Sequence, residues 1–180
     1  SEVVEPEITV VEREMQEDKS YIFVQRDTDA TDDGVQQLIE RMESEGLHFY
    51  KTGQHTAGLI GADDVVLLKI NCQWAERGGT NTDLIRAVAE AIAAHPDGFT
   101  GEIIIADNGQ AQYGTNGTGG SLTWPNANAA TREQSAQDVI DSLSGQMNIS
   151  GYLWDTITMN RVAEYEDGDE EDGFVIEDTI

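Results

Sequence analysis

Val65-Val66-Leu67-Leu68-Lys69-Ile70-Asn71 is an apolar run that ends on a lysine and an asparagine. Gly79-Thr80-Asn81-Thr82 follows, then an amphipathic stretch to Ala94, then Ile103-Ile104-Ile105-Ala106-Asp107. A continuous run of branched apolar residues suits a strand buried on both faces of a parallel sheet. Leu84, Ile85, Val88, Ala91 and Ile92 keep helical spacing over residues 80–94 and define one side of a helix. His95-Pro96-Asp97-Gly98 ends it. The unit is therefore β-α-β, expected as a right-handed crossover between parallel strands. Lys69, Asn71 and Asp107 fall at the carboxyl ends of those strands, the rim where sites in such folds usually lie.

Working outward, Asp33-Gly34-Val35-Gln36 looks like a helix start, with Val35, Leu38, Ile39 and Met42 in phase and Gly46 as the stop. Short β runs are predicted at 21–25 and 47–50. Thr131-Arg132-Glu133-Gln134 matches a capping box opening a helix through Leu143, with Ala136, Val139, Ile140 and Leu143 inward. Residues 108–128 form a long Gly/Asn/Thr-rich loop, of a length that is usually functional or mobile. With Tyr113, Trp124 and Pro125 it could serve as a lid over the rim or as a surface excursion. Residues 151–162 suit helix or strand equally, and 174–176 read as a last strand. The predicted fold class is α/β: a mostly parallel sheet with helices on both faces, a Rossmann-like three-layer arrangement, with room for antiparallel edge strands near the C-terminus. Residues 1–18 read as an acidic extended lead-in with a candidate edge strand at 8–11, and 19–180 as a single α/β domain. The chain stops at Thr179-Ile180 just after a strand-like run, which suggests a fragment of a longer protein.

Net charge is −25, from 35 acids and 10 bases. That excludes nucleic acid and anionic membrane as default partners. Acids concentrate at the ends, with seven in residues 1–18 and nine in residues 164–180. Only Lys19, Lys51 and Lys69 are lysines. Such a surface fits either life in high salt, where counterions screen self-repulsion, or ordinary acidic decoration. Cys72 is the single cysteine, so no internal disulfide forms and the redox compartment is not readable. The cytoplasm is slightly favoured over export. No apolar run approaches membrane-spanning length.

Lys69-x-Asn71, Thr80, Thr82, Arg86-Ala87-Val88 and Asp107-Asn108-Gly109 resemble, in this order, domain-of-unknown-function family 362. Members of that family carry a strand ending in Lys-x-Asn, a threonine at a helix start, and a strand ending in an acid before a glycine-containing loop. The likeness covers residues 60–110 and, more loosely, the stretch to 176. Ile70 stands where the family usually has proline, and Thr80-Asn81-Thr82 stands for its Thr-His-Pro. The resemblance implies an α/β fold with its site at the carboxyl rim. Some members hold ferredoxin-type clusters. One cysteine cannot ligate a cubane cluster, which needs about four thiolates, so no iron-sulfur cluster is expected on this chain.

Each candidate residue carries two readings. Lys69 is an anion clamp, a base or Schiff-base former, or half of a structural ion pair with Asp107. Thr80, Thr82 and the helix start offer N–H groups to phosphate or carboxylate, with Arg77 as a bidentate partner, or serve simply as a cap. Asp107, with Asn71, Asn108 and water, suits a hard divalent cation, or satisfies turn N–H groups. Asp167-Gly168-Asp169-Glu170-Glu171-Asp172-Gly173 invites a calcium reading but fails the EF-hand spacing, since Asp172 occupies the position of the invariant glycine. His48, His55 and His95 lack ligand-like spacing. Three functional expectations follow. The first is binding of a small carboxylate or phosphate, with or without a divalent cation, at the rim. The second is a non-catalytic binding or assembly module, partnered by a downstream domain or by its own copies. The third is a calcium-stabilised extracellular domain.

Overall fold

A computed structural model describes residues 20–73, 78–109 and 120–154, together with the backbone of two short strands further on. Three helices and three parallel strands make an open α/β sheet. In chain order they are α1 (Gly34–Ser44), β1 (Val65–Lys69), α2 (Thr82–Ala93), β2 (Glu102–Asp107), α3 (Ala136–Leu143) and β3 (Ile149–Leu153). The strand order is β1-β2-β3, all parallel, with Leu67 opposite Ile104 and Ile104 opposite Ser150. β4 (Asn160–Arg161) and β5 (Phe174–Val175) form a separate antiparallel pair. The C-terminal antiparallel strands expected from the sequence are thus apart from the parallel sheet. The 8–11 and 167–173 segments lie outside the described residues.

Both crossovers step the same way across the sheet, so one handedness sets α2 and α3 on a single face. Ile85, Ala89 and Ile92 of α2 and Val139, Ile140 and Leu143 of α3 close over Ile103, Ile105 and Ile149. Their spacing of three and four residues gives each helix one apolar stripe. Leu84 does not join that stripe and is 40% exposed. Gly151 leaves room on β3 for the side chains of Ile140 and Leu122. A Cβ there would come within 2.6 Å of Ile140 Cδ1 and 2.8 Å of Leu122 Cδ1, closer than carbons pack.

β1 departs from expectation. It is an edge strand with one open face: Val65 is 65% exposed and Leu67 50%, while Val66 and Leu68 pack against the core. Tyr152 of β3 also lies exposed on the open side. Among the described residues no helix covers that face. A continuous apolar run cannot by itself tell burial on two faces from burial on one, because the alternation that would reveal it is absent.

Smaller differences concern the ends of elements. Residues 21–25 carry no strand, and 47–50 contribute one bridging pair, Tyr50 to Ile60. Asp33 flanks α1 without capping it; its carboxylate instead accepts from the Gln37 side chain. Gly46 ends α1 with φ +83°, a left-handed conformation that glycine adopts at little cost. The capping box of α3 is Ser135 with Asp138, not Thr131 with Gln134.

Candidate functional site

Parallel pairing puts the carboxyl ends of β1 and β2 side by side, and there Lys69 and Asp107 meet. The ammonium Nζ lies 2.5 Å from Asp107 Oδ1 and also donates to the Ile70 carbonyl. The Lys69 side chain is 54% exposed, whereas the Asp107 carboxylate is 4% exposed. Asp107 Oδ2 accepts from the Cys72 N–H at 2.9 Å and from its thiol at 3.4 Å. Burial pushes this carboxyl up, but the Lys69 ammonium, the backbone N–H groups of Cys72 and Asn108 and the Cys72 thiol together outweigh it. The net effect holds Asp107 below the ordinary carboxylate range. A buried carboxylate with these partners ties the end of β2 to the chain leaving β1.

Beside it, Asn71 and Thr80 clasp each other. The Thr80 hydroxyl accepts from the Asn71 N–H and the Thr80 N–H donates to the Asn71 carbonyl, both at 2.8 Å. The Asn71 side-chain oxygen accepts from the Gln73 N–H. Asn81 is the cap of α2, taking the N–H groups of Asp83 and Leu84. The first-turn positive potential that would suit an anion is met by the chain's own Asp83.

Asp83 and Thr82 face a returning segment whose first part, residues 120–128, belongs to the loop offered from the sequence as a lid over the rim, and whose continuation, with Ala130 and Gln134, was not assigned to the site. Asp83 Oδ2 accepts from the Ala130 N–H at 2.6 Å, and the Gln134 amide donates to Thr82 Oγ1 and Asp83 Oδ1 at 2.9 and 3.0 Å. The Asn126 amide donates to the Thr80 carbonyl, the Asn81 amide to the Asn128 carbonyl, and the Ser121 N–H to the Cys72 carbonyl. Residues 120–134 are thus stitched across the helix start. What remains between Asn71, Thr80, Leu122, Trp124 and Asn126 is a crevice of about 10 Å³, the room one water occupies. For Ala130 and Gln134 the sequence signal was a first-turn acid at Asp83, which reads equally well as ordinary helix decoration.

Of the residues expected at the rim, Lys69 joins Asp107 and Asn71 joins Thr80. Asn108 sits half-buried next to Asp107, and Thr82 is buried under Gln134. Arg77 lies outside the described residues, as does Tyr113. For a metal, Asp107 would have to exchange its lysine and its Cys72 N–H for the ion. Among the described residues no group of three or more His, Cys, Asp or Glu side chains is arranged to hold one. His48 and His55 stack, with ring centroids 3.6 Å apart. His95 is buried, its Nε2 facing the Lys51 and Ile60 carbonyls. Among the described residues no helix is long and apolar enough to cross a membrane. No protein-family model, curated protein or solved structure matches the chain, so the likeness to domain-of-unknown-function family 362 rests on the residues quoted for it.

Proposed function

We propose that this chain is a non-catalytic binding and assembly module that acts through the open face of its sheet. The observation that carries this reading is a contrast within β1. At its carboxyl end the polar groups are bonded to one another and to residues 120–134. Along its length Val65 and Leu67 offer apolar side chains to solvent. Contiguous apolar patches mark contact surfaces, and Val65, Leu67 and Tyr152 share this face. At the rim, by contrast, the described residues leave a water-sized crevice, short of the room a small substrate needs there.

A second reading keeps the rim as a binding site for a small carboxylate or phosphate, with or without a divalent cation, at Lys69, Asn71 and Asp107. The half-exposed Lys69 ammonium favours it. The two readings part in a thermal-shift screen of inorganic phosphate, citrate and Mg²⁺ on the wild-type chain and Lys69→Ala. The module reading expects no ligand-dependent shift in either protein. A shift in the wild type that Lys69→Ala abolishes would replace it with the anion-binding reading.

A further inference from the structure

We infer that the surface along β1 is covered by a second copy of this chain, the two β1 strands pairing antiparallel about a two-fold axis through Leu67. This names the partner of the assembly surface and rests on that reading.

The backbone is the first ground. In the ladder with β2, the Ile70 N–H donates to the Ala106 carbonyl and the Glu102 N–H to the Asp64 carbonyl. Backbone groups alternate in direction along a strand, so even-numbered residues of β1 bond to β2. The N–H and C=O groups of Val65, Leu67 and Lys69 point outward, and among the described residues they meet no backbone partner. An exposed edge of this kind is a template for another strand. Natural edges are usually guarded by proline, bulges or charge. β1 has only its shortness and Lys69.

Self-complementarity is the second ground. Antiparallel strands hydrogen-bond where outward residues oppose outward residues. An axis through Leu67 does this throughout: Leu67 faces Leu67 of the second copy, and Val65 faces its Lys69. About six inter-chain hydrogen bonds result. The same register lays the apolar side chains of Val65 and Leu67 from both copies side by side on the open face, at a Cβ separation of about 5 Å for opposed pairs.

Charge selects a copy over an unrelated strand. Lys69 is the base of β1, and the exposed turn Asp63-Asp64 immediately precedes it. Asp64 is engaged by the Gly61 N–H, which leaves Asp63 as the outward acid. Antiparallel pairing brings the half-exposed Lys69 side chain of each copy, bonded to Asp107 of its own chain, to the end of the other strand where Asp63 lies, twice by symmetry. A parallel neighbour would stack lysine beside lysine. Elsewhere the net charge of −25 per chain opposes association. Dimerisation is therefore promoted by salt, which shortens the screening length to about 3 Å at 1 M.

The test combines sedimentation velocity with cysteine crosslinking. In reducing buffer the wild-type chain is expected to dimerise, more tightly in 1 M than in 0.05 M KCl. Leu67→Arg, on an exposed side chain, is expected to keep its circular-dichroism melt while weakening association at least about tenfold. Under mild oxidant Leu67→Cys forms a disulfide-linked dimer, because opposed Cα atoms lie about 5.5 Å apart. Val65→Cys does not, because its symmetry mate is four residues, about 14 Å, away. The wild type, with buried Cys72, is the control. A chain monomeric in both salts up to millimolar concentration overturns the inference, as does crosslinking of Val65→Cys as efficient as that of Leu67→Cys. A monomer with no rim-ligand shift leaves the module reading intact and this partner excluded. A rim-ligand shift removes the module reading itself.

Discussion

Leu67 and Ile105 sit on neighbouring strands one step apart in register, are both branched and apolar, and have opposite fates. Ile105 is sealed under α2 and α3, while Leu67 is half exposed. The same contrast divides the polar groups. At the rim they are satisfied within the chain, and along the outer edge of β1 the backbone faces outward. Sequence composition does not separate the two regions. Topology does: Ile105 points to the helix layer and Leu67 to the open face of the sheet, and among the described residues β2 has a strand on each side while β1 has one neighbour.

The largest effect that would break this contrast is in the core. Ile105→Ala is expected to cost about 2–5 kcal/mol in chemical denaturation, since the site is closed on all sides. Leu67→Ala should stay within about 0.5 kcal/mol. Comparable losses for both would mean that the open face is covered in the monomer.

Next comes the rim. Asp107→Ala strips the Cys72 N–H of its buried acceptor and frees the Lys69 ammonium, at a cost of about 2 kcal/mol. The same carboxylate makes stability depend on acid. Because its folded value is depressed, its contribution is complete above the unfolded range near pH 4 and fades as pH falls through the lower folded value. Denaturation followed from pH 6 to pH 2 should therefore be less steep at the acid end in Asp107→Asn than in the wild type. An unchanged slope would show that the carboxylate is not held by Lys69 and Cys72.

Smaller still is the cap. Asn81→Ala should lose about 1 kcal/mol through the first-turn N–H groups of α2. If it also loosens residues 120–134, limited proteolysis should begin within that segment, through the lost bond to the Asn128 carbonyl. Unaltered cleavage would leave Ala130 and Gln134 as the dominant stitches.

The β-α-β unit was legible because its signals are local: a branched apolar strand, a helix at 3.6-residue spacing, a Pro-Gly stop. The meeting of Lys69 with Asp107 was legible too, since parallel neighbours deliver their carboxyl ends to one rim. The exposure of β1 was not, because an edge is a property of where the sheet ends. The 108–128 loop was legible as a candidate cover for the rim, but its continuation was not: nothing near Asp83 announces Ala130 or Gln134, which reach it only through the packing of α3 beside α2. The capping box lies four residues later than Thr131 suggests, for a related reason. Thr131 and Ser135 both head plausible boxes, and Ala136 entering the core selects the second.

Residue-resolved amide hydrogen exchange of dilute, low-salt monomer bears most directly on the open edge. Along β1 the amides of Val66 and Leu68 should exchange slowly and those of Val65, Leu67 and Lys69 fast, with the Cys72 and Ala130 amides at the rim protected. Uniform protection from Val65 to Lys69, or rapid exchange at Cys72 and Ala130, would contradict the picture of a closed rim beside an open edge.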